Sequence, residues 1–522
     1  MFISLFFIIH ILVIGIAYFF KFRGYRTSQI WLLFVSTFLI EFLLLILFHP
    51  EDIRSFAIEN WFNVGVISVT LGFEVDLLNW PLFLSYITIL LAFFFTSIVN
   101  LDTQADLKMW SILITMITLA SAAVLASNLW TVILFWTALD ILEIYYRLVM
   151  EKKHHSPTFQ SAIVFRFLGS FIFLFNTALL ARLGINPSFG NLKAINPNFF
   201  LISAFLHSGV LPIEKYSSSK DHSETERIID DGFRILLLFT SFSIMLHIPA
   251  PIYNLQMEFI VSILLSFIMI IIGLSLLLIN ESSSDISLIL LFIANFLFYM
   301  NLHGADHTLI FWMVGFFLSI FSLRFYTLRN HSSFIFPLMM VLMLSGLPFS
   351  LNAFGARGFY WQKFDTFHLL LSLPLVVFLG GLIKSILAKN NDLQQFDHVY
   401  QTIYKVGLFI PVFSSTVVIY RFFVSIENEI IYWWSGLMMV FALVVVAFWL
   451  KSSKQIVSTS RFYNSVHSLL FQVLSFNWLS GLTSFVEEIF NRIVNGFSML
   501  LEGTGGILWA IVLLILILSS LL

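Results

Sequence analysis

The 522-residue chain contains no cysteine. Disulfides, thiolate metal ligation and iron–sulfur clusters held by this chain are thereby excluded, so any redox chemistry coupled to it belongs to partners. Charge is scarce as well: Asp, Glu, Lys and Arg make up 11% of the residues, and a net charge of -2 leaves no basic excess to attract nucleic acid. Neither a Walker loop nor a dinucleotide fingerprint occurs, which excludes nucleotide-driven pumping by this chain alone. What fills the sequence is apolar: 59% hydrophobic residues, 62 Phe and a mean hydropathy of +0.95. Too little polar surface remains to coat a water-soluble globule. The chain reads as an all-α polytopic integral membrane protein.

Crossing a bilayer takes about 20 apolar residues per helix, and the chain offers about 14 to 16 such stretches, counting halves of broken spans. They fall near 2–20, 29–48, 78–99, 107–125, 128–149, 159–183, 198–216, 228–249, 257–279, 285–302, 308–327, 333–352, 366–388, 402–424, 431–450 and 506–522. The first is too long for a signal-peptide core and is followed by no small-residue cleavage site, so it is expected to be the first span. Lys21, Arg23 and Arg26 follow it, whereas Glu51, Asp52 and Glu59 follow the second span, which predicts an N-terminus facing outward. Lys152, Lys215, Arg324, Lys384 and Lys451 fall on that same inner side if every stretch crosses. Between 451 and 504 the pattern turns amphipathic: Phe485, Ile489, Ile493, Phe497 and Leu500 share one helical face, opposite Glu487, Asn491 and Asn495. A lateral helix lying on the membrane or on a partner is expected there, before a last span in 505–522; an ordinary amphipathic linker is the plainer reading.

An ionisable side chain at the centre of a span costs at least about 2.5 kcal/mol and so needs a reason. On ASNLWTVILFWTALDILEIYYRLVM, Asp140, Glu143 and Arg147 form one helical stripe, with Glu143 and Arg147 in the favourable acid-first order. Such a stripe either stores and relays a proton or makes a structural ion pair near the cytoplasmic end. Arg166, on the following span, is a candidate partner for Asp140 or Glu143, because a buried charge wants an opposite one. In LHSGVLPIEKY, His207 carries an imidazole, a side chain able to gain and lose a proton. Pro212, Glu214 and Lys215 follow it, and a proline there predicts a broken helix that frees backbone carbonyls. Asp230 and Asp231 open the next span, Asp230 as a helix cap and Asp231 as a candidate on the ion path. Arg357, in SGLPFSLNAFGARGFYW, follows a second interrupted segment; it can set a potential but cannot hand on a proton. His303, Asp306 and His307 form a polar cluster between spans, read as an outer loop in preference to a metal site. No cofactor is called for, and no quinone site is evident.

Taken in order, these segments resemble the antiporter-like membrane subunits of respiratory complex I, a family shared with Mrp-type cation/proton antiporters, membrane-bound hydrogenases and the membrane partners of some inorganic-carbon uptake complexes. LGFEVDLLNWPLFLSYI, with Asp76, is similar to the stretch before the family's third span, and ASNLWTVILFW to the start of its fifth. LHSGVLPIEKY resembles the broken seventh helix and SGLPFSLNAFGARGF the broken twelfth. The resemblance implies an antiporter-like bundle over 1–450, a lateral helix over 451–504 and a terminal span over 505–522. It also implies other membrane subunits as partners, and a bacterial or archaeal cell membrane as the location. Departures are equally plain. Thr137 stands where the family has glutamate after the fifth-span tryptophan, so that acid is lost or moved one turn to Asp140. His207 and Arg357 replace the lysines of the seventh and twelfth helices, and ETERIIDDG replaces the usual opening of the eighth.

Two functions follow. In the first, protons or sodium ions cross by way of Asp140, Glu143 and His207, driven by chemistry in partner subunits of an NADH:quinone oxidoreductase-like assembly. In the second, the chain is a non-pumping membrane subunit that anchors a redox or carbon-uptake complex. Retained buried acids and helix breaks favour the first, and the lost lysines favour the second.

Overall fold

The computed structural model describes residues 2–425 apart from short connecting stretches, the longest being 212–223 and 356–365; beyond 425 only isolated positions are described. The lateral helix and the terminal span therefore lie outside the described residues. Within them, fifteen α-helices follow the apolar stretches of the sequence. These are α1 (Phe2–Phe22), α2 (Thr27–Leu47), α3 (Trp80–Thr96), α4 (Leu107–Val124), α5 (Leu129–Tyr145), α6 (Pro157–Arg182), α7 (Asn198–His207) and α8 (Glu224–Phe242). After them come α9 (Leu255–Leu278), α10 (Asp285–Leu302), α11 (Leu309–Phe325), α12 (Ile335–Met343), α13 (Leu351–Gly355), α14 (Thr366–Leu387) and α15 (His398–Ser425). Eight of the helical segments are long and apolar enough to cross a membrane, which makes this an integral multi-pass protein.

α3 and α11 form the axis of the bundle. Almost every residue of both is buried, although neither has a polar face, because each is surrounded by other helices. α3 packs on α2, α4, α11 and α15, and Thr88 Oγ1 donates to Ser414 Oγ of α15 at 2.8 Å. Helices at the rim behave differently. α1 turns Leu5, Ile8, Ile11 and Leu12 outward, as expected where lipid or another apolar chain takes the place of water.

One element was not expected. Residues 54–75 form an antiparallel hairpin, β1 (Arg54–Val64) with β2 (Ile67–Val75), paired from Arg54↔Val75 to Val64↔Ile67 with a register shift between Ile58 and Phe62. Its backbone is satisfied on the α4–α5 junction: Glu74 N donates to Leu125 O at 2.7 Å and Ser127 N to Gly72 O at 2.9 Å. Gly72 is required by that approach, since a Cβ there would sit 2.2 Å from Ser127 Oγ. The polar turn after β2 then starts α3, with Asp76 Oδ1 accepting from Leu78 N and Asn79 N.

The described part of each interrupted helix ends just before a glycine. α7 stops at His207, and Gly209 follows with φ +66°. α12 stops at Met343, and Gly346 follows with φ +73°. A positive φ is costly for any residue with a Cβ, so these two positions end their helices by conformation. Pro212 lies outside the described residues.

α6 and α7 are the tightest pair near the first break. Ser203 Oγ donates to Gly169 O at 2.6 Å, and a Cβ on Gly169 would fall 2.7 Å from His207 N and 2.8 Å from Ser203 O. Those neighbours are backbone and cannot swing aside. Gly169→Ala is therefore expected to cost about 1–3 kcal/mol and to spread α6 from α7. The thermal midpoint of the purified protein, compared with that of Gly190→Ala, where nothing lies within 4 Å, measures the cost.

Candidate functional site

The hairpin sets the height of α5. Asn128 caps that helix, its Oδ1 accepting from Thr131 N at 2.9 Å and from Thr131 Oγ1 at 3.0 Å. Asn128 Nδ2 donates to Thr70 O at 3.1 Å, and Gly72 N donates to Thr131 Oγ1 at 3.0 Å. From that start the helical repeat turns Asp140 and Glu143 into the bundle, where they are 4% and 2% exposed.

α6 supplies the counter-charge. Arg166, 4% exposed, places Nη1 3.3 Å from Asp140 Oδ1 and in direct hydrogen-bond contact with Glu143 Oε2. Arg147, one turn beyond Glu143, donates from Nε to Glu143 Oε1 at 2.9 Å. Glu143 is thus held between two guanidiniums, while Asp140 is shared between Arg166 and His207. The count of fixed charge is two against two, which is what a low-dielectric interior requires.

His207 closes the network from α7. Its ring is fully buried and stacks on Trp136 with centroids 4.0 Å apart and planes 7° from parallel. Nε2 lies 3.3 Å from Asp140 Oδ2, and Nδ1 lies 2.8 Å from Ser241 Oγ of α8. With the Ser241 hydroxyl donating to Nδ1, the Nε2–H of a neutral ring donates to Asp140, and the four side-chain charges stay balanced. Asp140, His207 and Ser241 then form a continuous donor–acceptor chain from α5 to α8.

A second group of charges lies on α8 and α11. α8 begins at Glu224, so Asp230 and Asp231 sit about two turns inside it and do not cap it. Asp230 Oδ1 is 3.9 Å from Arg147 Nη1, and Asp231 Oδ2 is 3.1 Å from Arg324 Nε. Arg234 donates from Nη1 to Ser287 Oγ of α10 at 3.0 Å. The end of α11 that carries Arg324 is fixed by Tyr404, whose hydroxyl accepts from Thr327 N at 2.9 Å and donates to Phe325 O at 2.8 Å. Ser241, Arg234 and Arg324 were not singled out from the sequence as members of this site. A serine among leucines carries no signal, but Arg324 closes an apolar run at the level of Asp231, which a search for complementary ends would have found.

Of the other candidates, Lys215 and Arg357 lie outside the described residues, as do Asp306 and His307. His303 bonds Ser262 Oγ at 3.0 Å. Thr137, at the family's glutamate position, bonds its own helix through Ile133 O at 2.7 Å.

No family model and no curated protein matches the sequence. Solved structures do match. A chain of the Mrp complex from Dietzia sp. DQ12-45-1b superposes with a TM-score of 0.64 at 10% identity, covering 100% of the present chain and 63% of that chain. The present chain therefore spans less than two thirds of that relative's length. A chain of the membrane-bound sulfane sulfur reductase, an archaeal respiratory membrane complex, superposes with a TM-score of 0.59 at 13% identity, covering 98% and 99% of the two chains. The chain therefore shares its fold with chains of these two membrane complexes.

Arg166 is the hub of the charge balance, and removing one member of a buried pair costs about 3–5 kcal/mol. Arg166→Gln is expected to lower stability on that scale. Glu143→Gln placed in the same chain should recover about 1–3 kcal/mol of it, because the stranded acid goes with it. A double-mutant cycle on the thermal midpoint of the purified protein gives the coupling.

Proposed function

We propose that the chain is an ion-translocating membrane subunit of a larger assembly, passing protons through Asp140, His207 and Ser241, with Glu143, Arg147 and Arg166 setting the field in which they move. The observation that carries this reading is the chain of contacts Arg166–Asp140–His207–Ser241 across four helices, buried throughout. Guanidiniums keep their protons, so Arg147 and Arg166 act as fixed charge, whereas carboxylate, imidazole and hydroxyl can each receive and pass one. A proton placed on Asp140 frees Arg166 to Glu143 alone and leaves the cluster with one excess positive charge. That excess favours release through the Nδ1–H tautomer of His207, in which Asp140 gives its proton to Nε2 while Nδ1–H gives its own to Ser241 Oγ and the hydroxyl proton moves on, so occupancy of the acid and departure of the proton are linked electrostatically.

The second charge group extends the reading. Asp231 with Arg324, and Asp230 with Arg147, stand between the cluster and the end of the bundle that carries Arg147. Lys215 and Arg357 are proposed to take part as well. The driving reaction belongs to partner subunits, of the kind found in an NADH:quinone oxidoreductase-like or cation/proton antiporter assembly, in a bacterial or archaeal cell membrane with the N-terminus outside. Sodium is proposed as an exchange partner, since its sites also use carboxylates and carbonyls. Residues 451–504 would brace the bundle laterally, and 505–522 would anchor the brace. The second reading, a non-pumping anchor, is favoured by one observation: Thr137 spends its hydroxyl on its own helix where the family has an acid.

Proton entry into vesicles carrying the intact complex, followed with a pH-sensitive dye, decides between the two. Asp140→Asn and His207→Ala, at matched assembly, are expected to slow flux by roughly tenfold or more, the scale on which a lost proton-transfer group is felt. Unchanged flux in both would leave the anchoring reading.

A further inference from the structure

Outside the central network the described residues contain a second buried pair of titratable side chains. His10 of α1 and Glu41 of α2 are 1% and 4% exposed, and His10 Nε2 lies 2.9 Å from Glu41 Oε2. Thr118 of α4 completes the group, its Oγ1 2.5 Å from His10 Nδ1. Phe6 and Phe38 pack on the imidazole with centroids at 4.3 and 5.4 Å. The three polar residues share one depth. His10 is about 12 Å along α1 from Phe2, Glu41 about 9 Å along α2 from Leu47, and Thr118 about 9 Å along α4 from Val124, at 1.5 Å per residue. All three distances run from the same end of the bundle and place the group inside the hydrocarbon layer.

The bonding dictates how many protons the pair holds. Thr118 donates its hydroxyl to Ile114 O at 2.6 Å, so His10 Nδ1 is the donor to Thr118 Oγ1. Nε2 and Oε2 at 2.9 Å then need one proton between them. Whether it sits on the ring or on the acid, the pair together with Thr118 is either a neutral ion pair or two neutral groups, so moving it between them creates no net charge. Glu41 Oε1 is buried and has no partner among the described residues. An orphan carboxyl oxygen in such a place calls for a donor not supplied by the chain, and a water molecule meets the need while offering the proton a way in and out.

Among the described residues nothing else ionisable bonds either member. The remaining titratable groups on the elements packed against the pair are Tyr18 and Lys21 on α1, Arg26 at the start of α2, Tyr86 on α3, Lys108 on α4, and Glu74 of β2 with Asp76 beyond it. A tie between α1 and α2 would need neither an acid nor an imidazole, since a neutral amide pair bonds as well without the cost of burying charge. We infer that His10 and Glu41 form a second proton-exchange site, at the rim of the bundle and built from residues that the central network does not use. α4 stands between the two: Thr118 faces this pair, while Met116 approaches within 2.9 Å of the Cβ position of Gly232, next to Asp231.

The test uses the intact complex in lipid, with infrared difference spectra between acidic and alkaline buffer in H2O and D2O, and with proton uptake on a pH jump. The parent is expected to show a deuterium-sensitive carboxyl band that Glu41→Gln removes. The variant His10→Leu/Glu41→Met should lose the same band and take up about one proton fewer per chain. That apolar pair guards against a failure to assemble, since a hydrophobic replacement for a buried ion pair is often neutral or stabilising. Band and uptake identical to the parent in both variants overturn the site. Neither readout depends on transmembrane flux, so the outcome is independent of whether the central network pumps.

Discussion

A guanidinium in hydrocarbon has no water to retreat to, and Arg166 is the charge around which the rest of this bundle is arranged. Its compensation needs two carboxylates from α5, whose own compensation needs Arg147 and the imidazole of His207. Removing any one member leaves its partners charged and buried, at a cost of several kcal/mol. The constraint fixes more than chemistry. α5 has to start at the height set by Asn128 and the hairpin, α6 has to lie close enough for Arg166 to reach across, and α7 has to end at the level of Asp140.

Close approach is what small residues provide here. Gly169 lets α6 rest on the backbone of α7, and the positive φ of Gly209 ends α7 just past His207. Between membrane helices there is little hydrophobic drive to association, so packing of this kind and interhelical hydrogen bonds such as Ser203 to Gly169 carry a larger share than they would in water. The close α6–α7 contact also helps hold the imidazole ring of His207 against Trp136.

Much of this could be read in the residues, for physical reasons that differ by element. Spans are legible because burying a backbone in lipid demands long apolar helices, and the bounds of α1 to α15 follow the apolar runs closely. Asp140, Glu143 and Arg166 are legible because charge in such runs is too costly to be idle. The hairpin is not, because RSFAIENWFNV and ISVTLGFEV alternate only loosely and take their order from docking on Ser127 and Asn128, a contact far away in sequence. Proline drew attention at Pro212, although the helix stops earlier, at a glycine whose required φ no pattern announces. Asp230 looked like a cap only because α8 already runs from Glu224, in a polar stretch that periodicity cannot place. The His10–Glu41 pair went unremarked because each residue is alone in its own span, and only the packing of α1 on α2 brings them together.

The substitutions relative to the antiporter-like pattern also take on a physical sense when considered together. An imidazole is shorter and broader than a lysine side chain, and its charge depends on its hydrogen bonds. In place of lysine it needs a closer acid and a surface to hold its plane. Asp140, one turn beyond Thr137, provides the acid at 3.3 Å, and Trp136 provides the surface at 4.0 Å. Lysine in that position would add a third fixed positive charge beside Arg147 and Arg166, with Asp140 and Glu143 alone to balance it. A neutral histidine avoids that surplus and still presents a proton to Asp140. Measured against that pattern, histidine in place of lysine and an acid one turn later are thus two parts of one arrangement, in which arginine holds the charge and histidine presents the proton.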